Sequence, residues 1–339
     1  MENRFILGID TSNYKTSVAL TDIHQNVVCD LRKFLKVKQG EKGLRQSDAL
    51  FQHVRNLPEL FEELAGCTDS GECEAAVNDL TSGLAAAAYS SRPRPVDGSY
   101  MPVFLAGESF ARSLAALAGI PALPFSHQEG HIEAIKAFSQ LNGADRVMAC
   151  HFSGGTSELL EVTAADRHTG YDIRIIGGSK DIAFGQVIDR AGVILGMGFP
   201  AGEEMDRIAE AADGSSDVLT RIKVRDGWLN LSGIDTQIKR TLENSGIVSC
   251  ESAEPLIREI FEKVSDAMTD MVIQGAEKTG ISDIIMAGGV TSSMFIRQKA
   301  LKKLAAAGIN AVFDENGLAQ DNAVGIAVLG GKEIWDSNL

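Results

Sequence analysis

Phe5-Ile6-Leu7-Gly8-Ile9-Asp10, then Thr11-Ser12-Asn13-Tyr14-Lys15, then Thr16-Ser17-Val18-Ala19-Leu20 is the stretch whose reading sets the architecture. An apolar run, a polar turn and a second β-rich run of this length predict a β-hairpin. The same layout returns at Val147 to Phe152, Ser153-Gly154-Gly155-Thr156-Ser157, and Glu158 to Val162, with a Thr-Ser pair in each turn. The echo points to two related lobes. Between and after the hairpins, apolar residues keep helical spacing in Ser47–Leu64, Gly107–Ala118, Lys180–Leu195, Glu203–Ala212, Pro255–Lys278 and Met294–Ala307. Asp283–Ala287 reads as a short strand, and the alanine-rich stretch from Gly83 passes into Ser90 to Gly98, which reads as an exposed loop. Strands alternating with helices place the chain in the α/β class.

The 339 residues carry 32 basic and 46 acidic side chains, a net charge of −14. Phosphate neutralisation supplies most non-specific affinity for nucleic acid, so this balance argues against a protein that grips nucleic acid unaided. It leaves room for a local basic patch, for which Arg32, Lys33, Lys36, Lys38, Lys42 and Arg45 are candidates, or for a helper subunit. No run approaches the roughly 18 to 20 apolar residues of a membrane span, and the start lacks a signal-peptide layout. A cytoplasmic protein is expected, with the five scattered cysteines as free thiols.

Four local features carry chemistry. His127-Gln128-Glu129-Gly130-His131 opens an expected helix, and imidazoles at i and i+4 leave one face close enough to share a metal ion, or to be two ordinary half-buried histidines. The spacing is not the His-Glu-x-x-His of zinc proteases. Ser153-Gly154-Gly155-Thr156 allows close backbone approach to an anion, or is a plain tight turn. Gly288-Gly289, between a strand and a helix starting near Ser292, makes a place for a nucleotide's sugar or phosphate. Asp321, ahead of the apolar run Val324–Leu329, reads either as a helix cap or as an oxygen ligand.

In their order along the chain, these features resemble the two phosphate loops and the adenosine loop of the actin, sugar-kinase and Hsp70 ATPases. More closely, residues 4 to 330 resemble the TsaD family of tRNA threonylcarbamoyladenosine transferases. The match rests on His127-x-x-x-His131 with Asp321-Asn322, on Asp181 to Asp189 around Gly185, on Gly196, Phe199-Pro200-Ala201-Gly202 and Leu231-Ser232-Gly233, and on Met286-Ala287-Gly288-Gly289-Val290. The resemblance implies two ribonuclease-H-like lobes with a nucleotide and metal cleft between them. Its boundaries are an N-terminal lobe over 1–125, a metal-binding helix and linker over 126–145, a C-terminal lobe over 146–330 and a tail over 331–339. It implies one iron or zinc ion on His127, His131 and Asp321; Asp10, Ser12 and Lys15 of the first hairpin are this chain's expected catalytic residues. It also implies that ATP, AMP or a carbamoyl-adenylate is held by His151, Phe152, Ser153, Gly154, Gly155, Asp189, Gly202, Gly288, Gly289 and Ser293. The implied partners are tRNA, reached through helper subunits, and a second copy or a related family protein as dimer mate, with no membrane.

Several positions depart from the family pattern. Asn13-Tyr14-Lys15 stands where acidic residues are usual, Thr156 where histidine follows Ser-Gly-Gly, Pro200-Ala201-Gly202-Glu203 where Pro-Gly-Gly-Pro is usual, and Ser293 where asparagine is usual. The family's Gly-Pro-Gly loop gives way to Ser90–Gly98. The chain therefore reads as a divergent paralogue of the TsaD family that keeps the metal site while its acceptor or donor is open to change, and the resemblance implies transfer of a threonylcarbamoyl or related carbamoyl group from an adenylate to the N6 amine of a tRNA adenosine. Two alternatives accompany it: an ATP-binding carbamoyltransferase with another acceptor, and a catalytically silent partner subunit.

Overall fold

The computed structural model describes residues 4–12, 14–37, 44–67, 83–165, 169–244, 250–315, 317–318 and 320–335. The opening hairpin is β1 (Phe5–Thr11) against β2 (Lys15–Asp22), antiparallel from Phe5↔Asp22 to Thr11↔Thr16. It sits within a five-stranded sheet ordered β3-β2-β1-β4-β5, where β3 is Val27–Phe34, β4 is Leu84–Arg92 and β5 is Ala122–Ser126. Strands β4 and β5 run parallel to β1, through a crossover that includes α2 (Phe104–Ala118).

The second hairpin is β6 (Arg146–Phe152) against β7 (Ser157–Ala164), again antiparallel. Its sheet is ordered β11-β10-β6-β7-β8-β9, with β8 at Tyr171–Ser179, β9 at Trp228–Leu229, β10 at Asp283–Ala287 and β11 at Asn310–Phe313. Strands β10 and β11 run parallel to β6. Taken as β8-β7-β6-β10-β11, this is the order of the first sheet, so the echo between the hairpins reflects a repeated topology.

Contacts divide the chain into two units, Met1–Gly143 with Ala164–Asp172 and Gln320–Leu339, and Ala144–Thr163 with Ile173–Ala319. These boundaries differ from those read in the sequence: the histidine helix α3 (His127–Lys136) and the C-terminal helix α9 (Val324–Trp335) both belong to the first unit. Backbone proximity explains why. A Cβ on Gly8 would lie 2.4 Å from the Ala323 carbonyl oxygen, and one on Gly330 would lie 2.8 Å from the Ala88 Cβ, so α9 lies directly on β1 and β4. Each unit has its own apolar core. Ile9, Val18, Leu20, Leu57, Leu64 and Ala111 serve the first; Phe152, Phe184, Phe261, Met268 and Ile284 serve the second.

Two expectations need correction. Ser90 and Ser91 are not loop residues: β4 runs through Arg92, and Ser90 is fully buried. The alanine run that looks like a poor strand former is suited to a central strand that a helix glycine approaches this closely. Lys180–Leu195 is not helical throughout. Helix α4 (Phe184–Ile194) starts later, because the Asp181 carboxylate accepts from the Ile182, Leu231 and Ser232 amides and holds that segment in a loop. It thereby satisfies amides at the start of α6 (Ser232–Asn244), which follows α5 (Gly202–Ala211). Helices α1 (Gln46–Cys67), α7 (Cys250–Thr279) and α8 (Met294–Ala306) extend or trim the expected spans by a few residues.

Candidate functional site

Strand β5 ends in Ser126, which caps α3. Ser126 Oγ accepts from the Glu129 amide at 3.2 Å, and Glu129 Oε2 accepts from the Ser126 amide at 2.7 Å. This reciprocal cap fixes where the helix begins and hence the face that carries His127 and His131. Glu129, the residue between the two histidines, is thus a scaffold residue; its other oxygen accepts from the Tyr171 amide at 3.2 Å. One turn on, Glu133 pairs with Lys332 at 2.7 Å and accepts from the Tyr171 hydroxyl, tying α3 to α9.

Helix α9 brings the third group. Asn322, not Asp321, supplies the cap, since Asn322 Oδ1 accepts from the Val324 amide at 2.9 Å. Asp321 is left to face the histidines. His131 Nε2 lies 3.0 Å from His127 Nε2 and 3.1 Å from Asp321 Oδ1, and His127 Nε2 lies 3.5 Å from the same oxygen. Nitrogen and oxygen ligands held at 2.0–2.2 Å around a tetrahedral ion stand about 3.3–3.6 Å apart, so the three atoms fit one such ion with small adjustments. Among the described residues these three form the group that meets a metal's needs.

Asp10, at the end of β1, is fully buried, and its Oδ1 accepts from His127 Nδ1 at 2.9 Å. A carboxylate behind a ligating imidazole orients the ring and fixes which nitrogen faces the metal. Burial pushes the His127 pKa down, but the Asp10 charge and hydrogen bond, with Asp321 behind them, pull it up to about 10. Burial pushes the Asp321 carboxyl up, and the two histidines hold it well below the usual carboxylate range. The pocket is an anionic frame that favours a cation.

Ser12 and Lys15 lie on the adjoining β1–β2 turn. Lys15 is 5% exposed, with Nζ 2.5 Å from Gln320 Oε1 and 4.5 Å above the Phe34 ring. Burial lowers its pKa, and Asp321 offsets part of that. His53 on α1, a residue without a motif in the sequence, steadies the turn. Its Nε2–H donates to the Ser12 carbonyl at 2.7 Å, so Nδ1 accepts from the Thr16 hydroxyl at 2.9 Å, which in turn accepts from Asn56. A histidine on an amphipathic helix gives no local signal of such a role.

In the second unit the expected nucleotide residues gather around the β6–β7 turn and the end of β10. Ser153 Oγ accepts from the Gly155 and Thr156 amides at 3.3 and 3.1 Å, so the side chain satisfies both N–H groups and closes the turn on itself. A Cβ on Gly154 would lie 3.9 Å from Asp189 Oδ2, while Asp189 Oδ1 accepts from the Ala201 amide beside Gly202. Burial raises the Asp189 pKa. Gly288, with φ of +97°, presses on Phe152: a Cβ there would lie 2.4 Å from the Phe152 carbonyl oxygen. Gly289 follows in open space, and His151 pairs with Ala287 across the sheet. Ser293 is taken up locally. Its hydroxyl donates to Asp206 Oδ1 at 2.5 Å and accepts from the Ile296 amide at 3.1 Å, capping α8.

The candidate basic patch is partly neutralised, because Arg32 pairs with Asp30 and Lys33 with Glu59; Lys38 and Lys42 lie outside the described residues. Cys150 is buried, which pushes its thiol pKa up and leaves it unreactive. Among the described residues no helix is long and apolar enough to cross a membrane.

The sequence model for TsaD, tRNA N6-adenosine threonylcarbamoyltransferase, matches residues 49–328. Proteins of that name from Aromatoleum aromaticum and Thermus thermophilus are each 27% identical over 96% of this chain, covering 90% and 91% of their own lengths. One from Geobacter sulfurreducens is 30% identical over 67% of the chain and 65% of its own length. Among solved structures, full-length HypF in its phosphate- and nucleotide-bound form aligns with 98% of the chain over 56% of its own, at TM-score 0.59 and 13% identity. The activator of 2-hydroxyisocaproyl-CoA dehydratase from Clostridium difficile, with bound ADPNP, aligns over 98% and 97% at TM-score 0.53 and 11% identity. A ROK-family glucokinase from Streptomyces griseus aligns at TM-score 0.51 and 13% identity over 96% and 98%. These likenesses show that the chain shares the fold of these nucleotide-bound proteins.

Proposed function

The chain belongs to the TsaD family of transferases, and from that membership we propose a metal-dependent transfer of a threonylcarbamoyl group from an adenylate to the N6 amine of a tRNA adenosine. The observation that carries the metal part is the convergence of His127, His131 and Asp321 within one ion's reach, backed by Asp10. A divalent iron or zinc ion bound there would act as a Lewis acid, polarising an oxygen of the donor. Asp10 keeps the His127 ring aimed, and Glu129 and Glu133 hold α3 against its neighbours. In the second unit the glycine turn at Ser153–Thr156, with Asp189 and the Gly288 turn, would meet a nucleotide's phosphate and sugar, the Ser153 hydroxyl giving up the Gly155 and Thr156 amides to the phosphate. Orientation of donor and acceptor does most of the catalytic work in such a transfer.

The test has two arms. Elemental mass spectrometry of the purified protein should find about one iron or zinc per chain, lost in His127→Ala and Asp321→Ala. Purified protein, supplied with threonylcarbamoyl-adenylate and the helper subunits of a related bacterium, should modify unmodified tRNA. Absence of metal after reconstitution would overturn the metal reading, and absence of transfer with metal bound would overturn the acceptor.

One observation favours a second reading, transfer to an acceptor other than tRNA. Lys15 places a buried ammonium where the family pattern has an acidic residue, which changes the charge the turn offers an incoming group. An acceptor screen with tRNA, small molecules and protein thiols separates the two. The retained triad argues against a silent partner, which has no use for three converging ligands.

A further inference from the structure

Lys15 is unusual among the charged side chains of this protein. It is only 5% exposed, yet among the described residues it makes no ion pair; its nearest polar partner is the neutral amide oxygen of Gln320. A buried ammonium that touches no carboxylate is costly even with the Asp321 and Asp30 charges near it, and its spare N–H groups call for acceptors. Ser12, on the same turn, is 1% exposed, and its hydroxyl oxygen has no hydrogen-bond partner among the described residues. The turn that carries both groups is braced. His53 holds the Ser12 carbonyl, and the Phe34 ring lies under the Lys15 ammonium. Gln320 is the chain neighbour of Asp321, so the ammonium is anchored beside the triad.

We propose that Lys15 and the Ser12 hydroxyl form a subsite for an anionic oxygen, a carboxylate or a phosphate, on the substrate that the triad binds. The proposal rests on the metal reading above. With a divalent ion on the triad, the two carboxylates of Asp10 and Asp321 are offset by the ion, and Lys15 leaves the pocket net positive. An acidic residue at position 15 would reverse that sign. The group bound there is therefore negatively charged. The proposed donor carries two such groups, the carboxylate of its threonyl part and the phosphate of its adenylate.

The experiment uses the whole, zinc-loaded protein, with bound zinc measured on every sample. Wild type, Lys15→Met, Lys15→Arg and Ser12→Ala are titrated calorimetrically with inorganic phosphate and, separately, with N-carbamoyl-L-threonine. Methionine keeps the packing on Phe34 and removes the charge. It should weaken one of the two probes by about tenfold or more, the range expected for a charge-assisted hydrogen bond. Arginine should retain most of the affinity, and Ser12→Ala should lower it several-fold. Loss confined to phosphate assigns the phosphoryl group, and loss confined to carbamoylthreonine assigns the carboxylate. Equal affinities across all four proteins with zinc retained would overturn the subsite while leaving the metal reading intact. A wild type that takes up neither zinc nor iron would overturn both. Should Lys15→Met fail to fold, Ser12→Ala, a change of one hydroxyl, decides by the same criterion.

Discussion

Gly325→Ala should disable the metal site without touching a ligand. Helices α3 and α9 cross with a glycine on each, and a Cβ at position 325 would lie 1.9 Å from the Gly130 carbonyl oxygen and 2.7 Å from the Ala134 amide nitrogen. Both are backbone atoms of α3, so no rotamer change relieves the clash. Restoring an ordinary contact of about 3.4 Å requires the helices to part by roughly 1.5 Å. Asp321 sits on the turn that leads into α9, while His127 and His131 ride on α3, so the parting acts on the triad. Metal–ligand distances tolerate about 0.2 Å, and a ligand moved several times that far no longer binds. Outer-shell changes alone weaken metal sites about 10–100-fold, so loss of Asp321 should cost at least 100-fold. Overpacking should also destabilise the fold by ~1–3 kcal/mol, against a gain of up to ~1 kcal/mol that alanine brings to a helix. Gly130→Ala is the control. Its Cβ meets the Ile326 side chain at 2.8 Å, and the nearest backbone atom is 3.7 Å away, so a side-chain rotation suffices. Competition with a chromophoric zinc chelator, together with a melting curve, checks both variants. A Gly325→Ala protein that binds zinc as wild type does and melts no lower would refute the reasoning.

Three further outcomes are expected. Asp10→Asn keeps the shape of the site but removes the charge behind His127, and zinc affinity in the chelator assay should fall about 10–100-fold. Gly185→Ala would place a Cβ 2.8 Å from Gly154 Cα, Gly154 N and the Ser153 carbonyl oxygen; displacing that turn should weaken AMP binding in calorimetry by at least about tenfold while leaving zinc bound. Burial pushes the Asp181 pKa up, but the amides of Leu231, Ser232 and Ile182 outweigh it and hold the carboxyl below its ordinary value. A lowered carboxyl stabilises the fold above its unfolded-state pKa and loses that contribution as pH falls through the folded value. Asp181→Ala should therefore cost ~1–2 kcal/mol at pH 7 in urea unfolding, and the difference from wild type should shrink below about pH 4.

How much of this is legible in sequence follows from the range of each interaction. The hairpins, the helix from His127 and the strand at Asp283 are set by local alternation, turn residues and caps, and all three are readable. The Ser126-x-x-Glu129 cap is present as a pattern too, and it explains why Glu129 is not a third ligand. Strand β4 is obscured because alanine signals little by itself. Its burial depends on Gly330 from a helix more than two hundred residues away. The true lobe boundaries are hidden for the same reason: Gly8, Gly130, Gly325 and Gly330 read singly as weak helix or strand residues, and only their pairing across α3, α9, β1 and β4 gives them meaning. Asp321 is ambiguous until Asn322 proves to hold the cap. His53 has no signal, because its role depends on a backbone carbonyl 41 residues earlier.

The same distinction separates what this chain shares with its family from what is its own. The close helix crossing needs glycine at position 325, and it sets how near Asp321, ahead of α9, comes to His127 and His131 on α3. The β1–β2 turn is not tied to that requirement. Ser12 and Lys15 are buried there on a hairpin braced by His53, so a lysine can stand at position 15 without displacing Asp10, His127 or Asp321. The proposed metal frame and the charge proposed to meet the substrate are thus separable parts of one unit. A surface carrying 14 excess negative charges adds a further constraint. One ammonium is already counted in that total and cannot reverse it, so a tRNA acceptor would have to be drawn in by basic residues on a helper subunit. Affinity for tRNA should therefore appear only with that subunit present, whereas affinity for a small anion at Lys15 belongs to this chain alone.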